Sequence, residues 1–169
     1  MLAKALNAYT ALIVGAMTAL VMALTVVVSY QVFSRYVDFV PRFLWTEEAS
    51  RFCFIWVVLL GAAIAVREGA HFTIDVLPQR MPEWLARALI VAGIAVIAVI
   101  GVVMVVGGVR FFEIGLSRIS TTSGVRLAWV YAAVPVSGFS ILVFAAEKLV
   151  RVLRGEQTRL GSQEGAGEV

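Results

Sequence analysis

Four stretches of this chain, residues 5–34, 52–66, 88–109 and 127–146, contain no Asp, Glu, Lys, Arg or His, and they restrict its fold more than any other feature. Their lengths are 30, 15, 22 and 20 residues. A helix satisfies its own backbone hydrogen bonds, as a segment in lipid must, and about 20 apolar residues carry it across. Three runs meet that length. The second covers roughly 22 Å of a hydrocarbon core about 30 Å thick, so its helix must continue into charged flanks. Those flanks are Trp45-Thr-Glu-Glu-Ala-Ser-Arg51 before it and Arg67-Glu-Gly-Ala-His71 after it, placing two polar clusters at the membrane faces.

Composition agrees with this reading. The chain has 169 residues, is 61% hydrophobic with mean hydropathy +0.94, and has only 15% charged residues, outside the range of an ordinary soluble domain. The fold class is all-α integral membrane: four transmembrane helices within residues 1–154 and a disordered cytoplasmic tail at 155–169. That tail is rich in Gly, Glu and Gln and has no hydrophobic periodicity. The first run is too long for a secretory signal and lacks a small-residue cleavage site, so it is expected to remain as a helix.

Charge and the rare reactive residues exclude several functions. A net charge of +3, with Lys and Arg at span boundaries rather than in one stripe, argues against nucleic acid as a partner. Cys53 is the single cysteine and His71 the single histidine, so no internal disulfide and no haem with two histidine ligands can be built from this chain alone, and a zinc site is argued against. There is no nucleophile and base motif and no phosphate loop. The chain is therefore read as no enzyme, with no catalytic, cofactor-binding or metal-binding residue and no cofactor of its own. Pumps and proton-coupled carriers usually keep ionisable groups inside the membrane. The span interiors here have none, and Thr18, Thr25, Ser29, Ser137 and Ser140 are read as bonding to their own or neighbouring helices rather than lining a path.

Topology follows from the loops. With four spans, the termini and the middle loop share one side and hold eight Lys and Arg, against six on the other. That bias favours both termini inside. Span two is expected to start near Trp45 or Thr46, with Thr46 as cap, Glu47 and Glu48 at the positive end of the helix dipole, and Trp45 at the interface. Either acid is spaced to pair with Arg51. Pro82 suits the first turn of span three, and Pro135 is expected to bend span four near Tyr131. Gly61 and Ala65 offer a small surface for another helix in span two, and Gly107-Gly108 either do the same or mark a weakening near the end of span three.

Trp45-Thr-Glu-Glu-Ala-Ser-Arg51, Trp56, Gly61-Ala-Ala63, Arg67-Glu-Gly-Ala-His71 and Asp75, together with Leu127-Ala-Trp-Val-Tyr131 and Pro135, resemble the signature of a known family. It is the small membrane subunit, DctQ type, of tripartite ATP-independent periplasmic (TRAP) transporters, and the likeness covers roughly residues 8–152. The family's proline-containing approach to span four has no counterpart in residues 120–126. The resemblance implies a multi-pass protein of the cell inner membrane with both termini cytoplasmic. It also implies a large permease subunit of the DctM type and a periplasmic substrate-binding protein of the DctP type as partners, a sodium gradient as the driving force of the complex, and organic acid uptake.

On this reading the subunit braces the large permease. Trp45, Glu47, Glu48, Arg51, Trp56, Gly61, Ala65, Arg67, His71 and Asp75 are the candidate partner-interface residues. Arg42, Arg118 and Arg126 are the candidates for docking the periplasmic protein by charge complementarity. The bland alternative for both groups is anchoring to membrane lipids and solvated loop contacts. Two other functions stay open from the sequence: a stand-alone small homodimeric carrier, and a membrane-anchor subunit of a redox enzyme.

Overall fold

Helix spacing and the positions of the charges account for the architecture seen in a computed structural model, which describes residues 2–37, 39–41, 43–68, 83–120 and 123–153. Among the described residues there are five helices: α1 Leu2–Tyr36, α2 Trp45–Glu68, α3 Glu83–Leu116, α4 Ala128–Tyr131 and α5 Ala133–Leu153. α4 and α5 form one span interrupted at Ala132, so four helical segments are long and apolar enough to cross a membrane. The described residues contain no strand longer than a single bridge pair, Ile119 with Arg126.

The interruption at Ala132 sits where Pro135 directs it. Proline has no amide to donate to the carbonyl four residues back, that of Tyr131, and its ring crowds that position. The helix is interrupted at Ala132, which keeps helical backbone angles, and resumes with the Val136 amide donating to the Ala132 carbonyl at 3.2 Å. Span two begins at Trp45, as expected, but Thr46 does not cap it. Its hydroxyl donates backwards to the Phe43 carbonyl at 2.7 Å, fastening the incoming loop instead.

The helices form a layer in the order α1, α2, α4/α5, α3. α5 packs on both α2 and α3, whereas α1 packs on α2 and makes no close backbone approach to α3. The core follows that order. Ile13, Leu60, Ala63, Ile64, Ile141 and Phe144 form the main cluster between α1, α2 and α5, and Ile94, Ala145 and Val152 a smaller one between α3 and α5. The outer faces of α1 and α3, with Leu12, Met22, Val26, Val99 and Val103 exposed, are apolar, as lipid contact requires.

α3 meets the last span through glycines one heptad apart: Gly101, Gly108 and Gly115. A Cβ at Gly108 would lie 2.7 Å from the Pro135 nitrogen, and one at Gly115 2.8 Å from Ala128 Cα. Gly138 of α5 lies opposite Gly101, where a Cβ would come within 3.1 Å of the Gly101 carbonyl oxygen. Seven-residue spacing keeps small residues on one face of a helix packed at a shallow angle, and their lack of side chains lets backbones touch. Of the pair Gly107-Gly108, Gly108 makes this contact; Gly107 faces open space.

Candidate functional site

The polar residues fall into two groups, one at each end of the layer. At the end formed by the start of α2 and the connection from α3 to α4, residues 117–120 and 123–127 pair as the two sides of a hairpin. The Ser120 amide donates to the Val125 carbonyl at 2.9 Å and the Leu127 amide to the Arg118 carbonyl at 3.1 Å. Gly124, at φ +70, supplies the left-handed residue that this turn needs. The hairpin therefore closes without the family's proline.

The three charges in the first turns of α2 face different ways. Arg51 reaches Glu47 at 3.3 Å, but both side chains are more than 70% exposed, so water screens the pair. Glu48 turns the other way and meets the Ser120 and Ser123 hydroxyls and the Ser123 amide, tying α2 to the hairpin. Its Oε2 is enclosed without a hydrogen-bond partner. Trp45, Glu48, Phe52, Cys53, Arg126 and Leu127 wall a recess of about 260 Å³ beside this tie. Trp45 also borders the Phe43 ring, which stacks on Tyr30, and Tyr30 donates to the Pro41 carbonyl at 2.9 Å. Gln31 of α1 donates to Ser50 of α2 at 3.2 Å.

Deeper in α2, Trp56 donates its indole N–H to the Trp129 carbonyl at 3.1 Å, joining α2 to α4. Gly61 faces α1, where a Cβ would lie 3.8 Å from Met17 Sδ, and Ala65 is half-buried. Arg118 and Arg126 are exposed at the base of the hairpin. Arg42, His71 and Asp75 lie outside the described residues, as do the tail at 155–169 and Pro82.

At the other end, Arg67 is a junction between three helices. It donates from Nε to Glu147 of α5 at 3.4 Å and from Nη2 to Asn7 of α1, and its guanidinium sits 5.7 Å from the centre of the Phe144 ring. The second oxygen of Glu147 accepts from Arg151. One turn further in, Tyr9 of α1 and Ser140 of α5 share a hydrogen bond of 2.8 Å. Sequence reasoning singled out Arg67 but missed Asn7, Tyr9, Glu147 and Arg151. The spacing of four between Glu147 and Arg151 was a legible signal; the partnership with Arg67, 80 positions away, was not.

Thr18, Thr25, Ser137 and Ser140 donate to carbonyls three or four residues back in their own helices, the packing role expected of them. Among the described residues no three His, Cys, Asp or Glu side chains come together as metal ligands would. Among the described residues the geometry fastens helices and presents two polar ends.

Comparison with known proteins agrees. Residues 24–155 match the family model described as "Tripartite ATP-independent periplasmic transporters, DctQ component". The sialic acid TRAP transporter small permease protein SiaQ of Vibrio cholerae is 29% identical over 141 residues, 80% of this chain and 78% of its own length. The C4-dicarboxylate TRAP transporter small permease protein DctQ of Pseudomonas aeruginosa is 28% identical over 129 residues, 73% of this chain and 61% of its own length. A longer relative, the sialic acid TRAP transporter permease protein SiaT of Haemophilus influenzae, is 31% identical over 106 residues, which are 63% of this chain but only 17% of SiaT.

Proposed function

Because this chain belongs to the DctQ component family of tripartite ATP-independent periplasmic transporters, a family of transporter membrane subunits and not of enzymes, we propose that it braces a large permease subunit of the DctM type. The observation that carries this reading is the match to SiaT, where a unit like this one occupies 17% of a longer permease chain. The charge-free span interiors support the same division: substrate and sodium sites need polar groups at membrane depth, and the large subunit supplies them.

In this role the protein is a multi-pass subunit of the cell inner membrane with both termini cytoplasmic, which puts the hairpin end of the layer in the periplasm. Arg118 and Arg126, exposed there, and Arg42 before α2 then attract a DctP-type binding protein and mainly raise its association rate. The complex takes up an organic acid with sodium.

Co-purification of the tagged chain with a large permease, and uptake by vesicles containing both but not by vesicles with this chain alone, tests the brace. Uptake by this chain alone would overturn it in favour of a stand-alone carrier. Charge reversal by Arg118→Glu with Arg126→Glu tests docking separately. Uptake should slow at low salt and lose most of its salt dependence; an unchanged rate at every ionic strength removes docking while leaving the brace intact.

A further inference from the structure

A recess of about 260 Å³ opens between the last turns of α2 and α5, walled by Thr10, Arg67, Phe144, Glu147, Lys148 and Arg151. Three of these six side chains are cations, and Glu68, exposed at the rim, completes the lining. The recess lies where two uncharged runs end, at Val66 before Arg67 and at Ala146 before Glu147, which is the depth at which lipid headgroups begin. We infer that it is a binding site for the phosphate group of an anionic membrane lipid.

The charges are arranged for an anion. Glu147, its side chain only 9% exposed, uses one oxygen for Arg67 and the other for Arg151, so a single negative charge positions two guanidinium groups. A guanidinium has five N–H donors. The contacts described above take two from Arg67 and one from Arg151, so both retain donors for phosphate oxygens, which match the planar fork of arginine. Lys148, 7% exposed, adds a third cation at the wall. Glu68 is the other acid at the rim and is exposed, so water screens it more than the buried charges.

The surroundings select a lipid over a soluble phosphate. Phe144 is an apolar wall of the recess on the bilayer side of Glu147, the side toward which acyl chains would run. Basic pockets between membrane helices near the headgroup level are established hosts for anionic headgroups. This site does not depend on the brace reading, since all its residues belong to this chain.

The test uses the full-length chain extracted in mild detergent with any bound partner retained, and measures its affinity for phosphatidylglycerol, phosphatidylcholine and inorganic phosphate by native mass spectrometry and thermal shift. Phosphatidylglycerol should bind in preference to phosphatidylcholine, and Lys148→Gln and Arg151→Gln should each weaken it about fivefold, the effect of roughly 1 kcal/mol per cation at a membrane surface. Arg118→Gln, at the opposite end, should change nothing, and Arg151→Lys should restore most of the loss. Circular dichroism on each variant confines the comparison to folded protein. Equal affinity for the two lipids, or no effect of either Gln variant, would overturn the inference. So would inorganic phosphate protecting as well as the lipid, which assigns the site to a soluble ion. If the variants release a protein partner and leave lipid binding unchanged, the cations face a carboxylate of that partner and the lipid site is refuted.

Discussion

The last span is fastened to its two neighbours by opposite means. Toward α3 the contact depends on missing side chains: Gly101, Gly108, Gly115 and Gly138 bring the backbones together, with Pro135 seated against Gly108. Toward α2 and α1 it depends on long ones, with Arg67 reaching Glu147 and Asn7, Tyr9 reaching Ser140, and Trp56 reaching the Trp129 carbonyl. In lipid no hydrophobic driving force separates helix from solvent, so association rests on close packing or on polar links. One span here uses both. The glycine seam should be sensitive to volume and indifferent to charge, and the polar seam the reverse.

The largest expected effect is Gly108→Ala. The new methyl would sit 2.7 Å from the Pro135 ring and backbone nitrogen, and neither can swing aside, so unfolding in mixed micelles should show a loss of about 3 kcal/mol. Gly107→Ala, one residue away and facing open space, should stay within about 0.5 kcal/mol. Equal effects at the two positions would break the claim that backbone approach sets this seam.

Arg67→Ala comes next. It removes two charge-assisted hydrogen bonds and leaves the largely buried Glu147 with Arg151 alone, for a loss of about 2 kcal/mol in the same assay. Tyr9→Phe should cost about 0.6 kcal/mol, typical of one interhelical hydrogen bond in a membrane, because Ser140 keeps its bond to the Val136 carbonyl. Smallest is Glu47→Ala, at about 0.3 kcal/mol or less, since its pair with Arg51 lies in water. A cost for Glu47→Ala as large as that for Arg67→Ala would show that exposed and enclosed ion pairs contribute alike here.

Much of the site was legible piecewise and little of it as an assembly. The start of α2 at Trp45, the break forced by Pro135 and the self-bonding Ser and Thr residues depend on interactions within a few positions, which spacing reveals. The opposed directions of Glu47 and Glu48 did not show. Both are spaced to meet Arg51, and only the folded hairpin, with Ser120 and Ser123 brought beside α2, draws Glu48 away. The heptad of Gly101, Gly108 and Gly115 on α3 was not read from the sequence, where Gly107-Gly108 taken as an adjacent pair hid which of the two makes contact.

By itself the sequence determined four spans, because a charge-free run of helical length has one stable place, and it determined that the polar groups gather at the two ends. Only tertiary structure decided the order of the helices, which places α5 between α2 and α3 and leaves α1 and α3 apart. Hydropathy fixes depth in the membrane but not direction around a helix axis. All four spans look alike to lipid, and the choice of neighbour rests on shape and on pairs such as Arg67 and Glu147 that meet only after folding.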